Sequence, residues 1–191
     1  MATCTTGISA NLINDCNNQP TAGLERVIYA FNRSEISGTK DTTNPNLMTA
    51  LSVETGAQGF KIQGYKKTNN VGFDFEADET MPERYPQFFS SVIWGIDSET
   101  VKQLNDLNDI VIVVENKNSG QDGDGKFEIY GFDTGLYKTT LTKRSNENGG
   151  TFNLEMGSLE GEAPTRSHYV FFDTDAATTK AALEGLLEVQ A

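Results

Sequence analysis

The residues of this chain best suited to chemistry are three carboxylates, Asp74, Glu76 and Asp78, on alternate positions of VGFDFEADE. In an extended strand such residues share one face and lie about 6.6 Å apart. Glycoside hydrolysis is one chemistry for that spacing, with one carboxyl giving a proton while another acts as base or nucleophile. Such pairs flank a scissile bond across a cleft, and burial raises the pKa of one member. Three like charges on one strand equally make a solvated face, or an acidic stripe that lines a channel and deters edge pairing. The overall charge favours the stripe, since 27 acidic residues against 15 basic ones leave a net −12.

Other candidate chemistries fail on spacing. The loop GQDGDG suggests a calcium site through Asp122 and Asp124, but Lys126 follows and the twelfth position is Asp133, not the glutamate the pattern requires. It reads instead as a hairpin tip. His168 is the only histidine. In a strand its neighbour Ser167 would point the opposite way, so no nucleophile is flagged for a triad, and His168 is expected to be structural. Cys4 and Cys16 enclose a short polar loop. They are two reduced thiols, or a disulfide if assembly leaves a reducing compartment. With one distant histidine they do not make a four-ligand zinc set. No phosphate-loop, serine-elbow, H-E-x-x-H or C-x-x-C motif is present. The expectation is a chain with no enzymatic activity, no metal and no cofactor.

The elements that hold these residues read as strands. RVIYAF, Leu47 to Val53, GFKIQGYKK and VGFDFEADE come first, with a turn at Asn69-Asn70. Asn32 to Asn46 reads as loop. In VGFDFEADE, Val71, Phe73, Phe75 and Ala77 take one face and the acids the other. PQFFSSVIWGI follows two prolines, and its Phe88, Phe89, Val92, Ile93 and Trp94 are expected to be buried or to form an interface. SETVKQLNDL reads as a short helix capped by Ser98, with Val101, Leu104 and Leu107 as its apolar stripe. The run IVIVV after Asp109 is continuous and apolar, so it is expected to be covered on both faces. Lys126 to Phe132 and Leu136 to Thr142 pair through Asp133-Thr134-Gly135. Thr151 to Met156 alternates, with Phe152, Leu154 and Met156 pointing in and Thr151, Asn153 and Glu155 out. YVFF is the last strand. A final helix begins at Thr174 or Asp175 and presents Thr179, Ala182, Leu183, Leu186 and Leu187 on one side.

About nine or ten strands joined by turns, with two short helices, predict a mainly β fold: an antiparallel β-sandwich or open barrel with helices on its flank. The polar segment 1–25 reads as an irregular N-terminal arm and 26–191 as a single β-sandwich domain. With 11 Phe and 6 Tyr, the chain can build a core. The acidic balance argues against gripping nucleic acid or anionic membrane. No apolar run approaches the length that crosses a bilayer, and the first residues lack a basic and apolar leader pattern. Gln121, Asp122 and Asp124 in one turn, and Lys143, Arg144, Asn146 and Asn148 in another, are candidate inter-subunit loops. A solvated turn is the alternative for each.

Taken together, CTTGISANLINDC followed by GLERVIYAF, the helix SETVKQLNDL, and FEIYGFDTGLYKTTLTKRSNENGGTFNLEMGS resemble the tail-tube proteins of tailed bacteriophages and related virion structural proteins. The resemblance covers architecture and size over most of the chain. It implies a self-associating subunit of hexameric rings stacked into a hollow tube, made in the bacterial host cytoplasm and located in the virion. Its partners would be copies of itself and other virion proteins. DNA would pass through an acidic lumen without specific binding, and no membrane is involved. Other virion parts remain open: a head–tail connector, a capsid decoration or a baseplate protein. So does a β-sandwich module that binds carbohydrate or protein, which would need an exposed aromatic platform. Trp94, the only tryptophan, lies in an apolar string, and burial is expected for it.

Overall fold

The computed structural model describes residue 12 and residues 22–77, 82–117, 123–146 and 148–190. Among these are strands β1 (Leu24–Asn32), β2 (Ile36–Lys40), β3 (Leu47–Val53), β4 (Phe60–Gln63), β5 (Asn70–Phe73) and β6 (Gln87–Ile93). Helix α1 (Ser98–Asp106) follows, then β7 (Ile110–Asn116), β8 (Phe127–Tyr130), β9 (Tyr137–Lys143), β10 (Phe152–Gly157), β11 (Tyr169–Phe171) and helix α2 (Ala176–Gly185). They form a seven-stranded sheet ordered β2-β3-β11-β8-β7-β1-β4 and a four-stranded sheet ordered β5-β6-β10-β9. The fold is mainly β, a two-sheet sandwich with two short helices.

Burial explains why the first five residues of β7 must be apolar. Ile110, Ile112 and Val114 face the four-stranded sheet and pack with Phe89, Leu154 and Met156. Val111 and Val113 face the other way, into a second cluster with Tyr29, Phe127, Phe171 and Leu183 of α2. The large sheet is thus the middle layer, covered by the small sheet on one face and by α2 on the other. A strand covered on both faces has no polar side to alternate with. The double covering read from IVIVV is what the core contains.

Several expectations need correction. Eleven strands form among the described residues, and β2 lies inside the stretch expected to be loop. Its sequence ISGTK carries little apolar signal because the strand is an edge, paired only with β3. The segments after Lys126 and Leu136 do not pair with each other: β8 joins the large sheet and β9 the small one. The link between them turns through Gly131 and Gly135, both at positive φ, and crosses from one layer to the other. One pairing departs from the antiparallel rule, β11 beside β3. Asp97, not Ser98, caps α1, accepting from the Thr100 N–H at 2.8 Å. Thr151 is buried, not outward. In α2, Thr179 and Leu183 are buried but Ala182 is exposed, and the helix ends at Gly185 with Leu186 as its cap. The arm expected over 1–25 lies mostly outside the described residues; β1 itself begins at Leu24.

Gln87 joins three segments that the sequence leaves apart. Its side-chain oxygen accepts from the Gly131 N–H at 2.6 Å, and its amide donates to the Ser167 carbonyl at 2.7 Å. Ser158 Oγ accepts from its backbone N–H at 3.0 Å. Gln87 is buried, so losing these bonds strands polar groups away from water. Gln87→Leu is expected to lower the unfolding free energy by about 1–3 kcal/mol. Urea denaturation followed by circular dichroism would measure it, and an unchanged midpoint would refute this role.

Candidate assembly surface

The acidic row sits on a hairpin that outruns the sandwich. β5 and β6 pair with Phe73 opposite Gln87, and the register carries on to a bridge between Glu76 and Arg84. Asp74 N–H donates to the Pro86 carbonyl at 2.9 Å, and Glu76 and Arg84 exchange backbone bonds at 2.9 and 3.1 Å. Proline removes a donor from the ladder, which is why the regular strand stops while the hairpin continues. The alternation seen in the sequence survives there. Phe73 and Phe75 lie on the face of Tyr85, with ring centroids 5.8 and 5.4 Å away. Asp74 and Glu76 take the opposite face and are exposed. Asp78 lies outside the described residues. Among the described residues, the two carboxylates lie solvated on the outer side of the hairpin.

The aromatic face of the hairpin is only partly covered. Phe73 stacks on His168 at 5.7 Å, and Tyr130 lies on the other side of that imidazole at 5.5 Å. His168 is therefore a spacer between rings, consistent with a structural role. Phe75, 54% exposed, reaches past this stack into solvent. Arg84 fixes the base of the hairpin by donating to the Gly161 and Ala163 carbonyls at 2.5 and 3.3 Å.

The other end of β6 overturns the expectation for tryptophan. Trp94 is 61% exposed, and Ile96 beyond it is 85% exposed. Within PQFFSSVIWGI only Phe89 is a fully buried aromatic; Phe88 sits on the outer face, over Gly72. Trp94 follows the last residue of β6, where its ring has left the inter-sheet space and stacks on Tyr65 with centroids 3.9 Å apart. Tyr65 N–H donates to the Val92 carbonyl at 2.8 Å, and Asn69 ties the turn before β5 to β1 and β6. Its amide donates to the Glu25 and Arg26 carbonyls, each at 3.0 Å, and its oxygen accepts from Ser91 Oγ at 2.8 Å. Gly64 leaves room for that clamp, since a Cβ there would meet the Asn69 side chain.

Beside the Tyr65–Trp94 stack runs a groove of about 530 Å³ between β4 and α1, floored by Ile62, Ile93, Leu104 and Leu107. Helix α1 is fixed at both ends. The Asp97 carboxyl is held below its usual pKa range by the bonds it accepts from the Thr100 N–H and hydroxyl. Lys138 donates to the Leu104 and Asn105 carbonyls, both at 2.8 Å, placing a cation at the negative end of the helix dipole. The wall of the groove is thus tied down at both ends.

The loop residues divide. Lys143 lies on β9 with its ammonium 4.5 Å from the Phe152 ring centre, a contact made within the chain. Arg144 and Asn146 are exposed. Asn148 opens a 3-10 turn, Asn148–Gly150, whose glycines border Trp94 and Ile96 in a second depression. Asp124 is exposed in the turn before β8, while Gln121 and Asp122 lie outside the described residues, as do Cys4 and Cys16. Among the described residues no group of three His, Cys, Asp or Glu could hold a metal ion, and no helix is long and apolar enough to cross a membrane. The sequence missed the Tyr65–Trp94 platform and the buried clamps Asn69 and Gln87. The one available signal was position: Trp94 falls where the apolar string meets Gly95. No family model matches the chain, and neither a curated protein nor a solved structure matches it.

Proposed function

We propose that this chain is a self-assembling structural subunit of a virion, a tail-tube protein that forms stacked hexameric rings around a channel for DNA. The observation that carries this reading is the apolar surface left open at both ends of the β5–β6 hairpin: Phe75 at its far end, Trp94 and Ile96 where β6 stops. Exposed apolar patches on a soluble chain mark surfaces that a partner covers. The edges β2, β4, β5 and β9 support the same reading, because an open strand edge is a template for another chain. A contact between unlike surfaces of identical subunits closes into a ring when its rotation closes. Asp74, Glu76 and Asp78, with a net charge of −12, would repel phosphate, so DNA would pass an acidic lumen without sticking. In this role no residue is catalytic.

Electron microscopy of the purified protein at high concentration tests the reading. Rings or tubes are the expected result, and monodisperse monomer at every concentration would overturn it. One observation favours a second reading, a binding module for carbohydrate or protein. The exposed Tyr65–Trp94 stack is the aromatic platform such a module needs. Saccharide-dependent quenching of Trp94 fluorescence by a monomeric chain would select that alternative. A head–tail connector, a capsid decoration or a baseplate protein would share the assembly surface and differ in the particle observed.

A further inference from the structure

We propose that the free edge of β4 takes up, as an added antiparallel strand, an extended segment of a different protein in which apolar and acidic residues alternate. Such a partner is separate from the subunit contacts proposed above. The acceptor follows from the hydrogen-bond register. β4 ends the seven-stranded sheet and pairs only with β1. Gly64 N–H donates to the Arg26 carbonyl at 3.1 Å. Ile28 with Ile62, and Ala30 with Phe60, are then the mutually bonded pairs. The N–H and C=O of Lys61 and Gln63 point the opposite way, and among the described residues no backbone group meets them.

Lys61 and Gln63 line a groove. The depression floored by Ile62, Leu104 and Leu107 continues into a second one, of about 460 Å³, which shares Lys61, Ile62, Gln103 and Leu107 with it. Together they run beside β4 from Trp94 at one end to the exposed Phe60 at the other. Unpaired backbone groups along one wall, over apolar side chains, are what strand addition uses. The four residues of β4 offer a slot about 13 Å long at ~3.3 Å per residue. A segment of four or five residues fits it, and an aromatic side chain at either end would meet Trp94 or Phe60.

Charge decides the chemistry of the partner. Residues 55–73 carry three lysines, Lys61, Lys66 and Lys67, and no acid, in a chain of net −12. Arg26 of β1 lines the same groove. None of these four cations forms an ion pair with a described residue. Lys66 lies over the Tyr65 ring instead, 4.9 Å from its centre. The acids on the α1 wall are engaged within the helix. Glu99 accepts from Gln103 at 2.6 Å, and Asp106 lies 3.8 Å from Lys102. The edge is thus a basic island on an acidic chain, complementary to an acidic segment. Ile62 faces the core between the sheets, while Lys61 and Gln63 take the other face and are exposed. Residues directly opposite each other in an antiparallel pair share a face. Acidic residues opposite Lys61 and Gln63 would therefore meet the lysine, and the apolar residues between them would lie over the groove floor.

Titration of the full chain with the capped pentapeptide Phe-Glu-Val-Glu-Phe tests this. Trp94, the only tryptophan, reports occupancy through its fluorescence, and saturable binding is expected. N-methylation of both glutamates removes the N–H groups that would reach β4, and should weaken binding about tenfold or more. N-methylation of the central valine, whose N–H points away from β4, should change it by less than about twofold. The charge-reversed peptide Phe-Lys-Val-Lys-Phe should bind the parent chain about tenfold more weakly and regain affinity for Lys61→Glu. Absence of saturable binding, or equal binding of the peptide N-methylated at both glutamates, would overturn the proposal. So would a parent chain that prefers the lysine peptide, or one that binds a single-stranded oligothymidylate in the peptide's place. Microscopy of Lys61→Glu separates the occupants. Rings lost on that change alone would give the edge to a second copy and overturn the proposal. Rings that persist, with peptide binding weakened, support a foreign strand and leave the assembly reading standing.

Discussion

Phe89→Ala is expected to cost about 3–5 kcal/mol of unfolding free energy, the usual loss when a large buried aromatic is truncated. Phe89 is fully buried on β6, opposite Val71 on one side and Met156 on the other. Its ring fills the space between the sheets, in the cluster that holds Ile28, Ile112 and Val114. Removing it opens a cavity that neither sheet can close, because each is fixed by its own ladder. The adjacent Phe88 provides the control. It lies on the outer face at 36% exposure, and Phe88→Ala should cost less than about 1 kcal/mol, as surface changes do. Chemical denaturation of both variants, monitored by circular dichroism, decides the matter. Equal losses would mean that the layer assignment of β6 is wrong.

If the chain assembles as proposed, Trp94→Ala should leave the fold nearly unchanged and abolish that assembly. The ring is 61% exposed and stacks on Tyr65, so the stability change should stay below about 1 kcal/mol. Aromatic anchors in interfaces carry about 2 kcal/mol or more. A loss of that size weakens each subunit contact roughly thirtyfold, and a ring multiplies the loss over its contacts. Sedimentation velocity across a concentration series would read it as a shift from rings to monomer. A variant that assembles like the parent would remove Trp94 from the interface. One that loses several kcal/mol of stability would show the ring to be part of the core.

The two variants also mark how far the sequence could be read. Phe152, Leu154 and Met156 alternate with polar residues and are buried as that alternation requires, because a half-covered strand writes its environment in its own period. IVIVV announced a middle layer for the same reason. Phe89 and Trp94, five residues apart in one apolar string, could not be told apart by period. Composition reports that a segment is apolar, whereas the end of a strand decides which of its rings leave the interior. β2 was missed because an edge strand needs few apolar residues. The pairing of β8 with β9 was misjudged because a short glycine-rich link serves a hairpin and a crossover between layers equally well. The carboxylates at Asp74 and Glu76 were legible as a face, but whether a cleft stood opposite them depended on the whole hairpin.

Local sequence was enough for the class of the fold, the acidic surface, the double-sided burial of Ile110 to Val114, the two helices and the opposite faces of Phe73, Phe75 and their acidic neighbours. Each is local, set by side-chain period, turn chemistry or charge. Tertiary structure alone decided the strand order, the clamps made by Asn69 and Gln87, the exposure of Trp94 and the open edge of β4 beside α1. All of these depend on which distant segments meet, and packing free energy summed over the whole chain settles that, beyond the reach of any single stretch of residues.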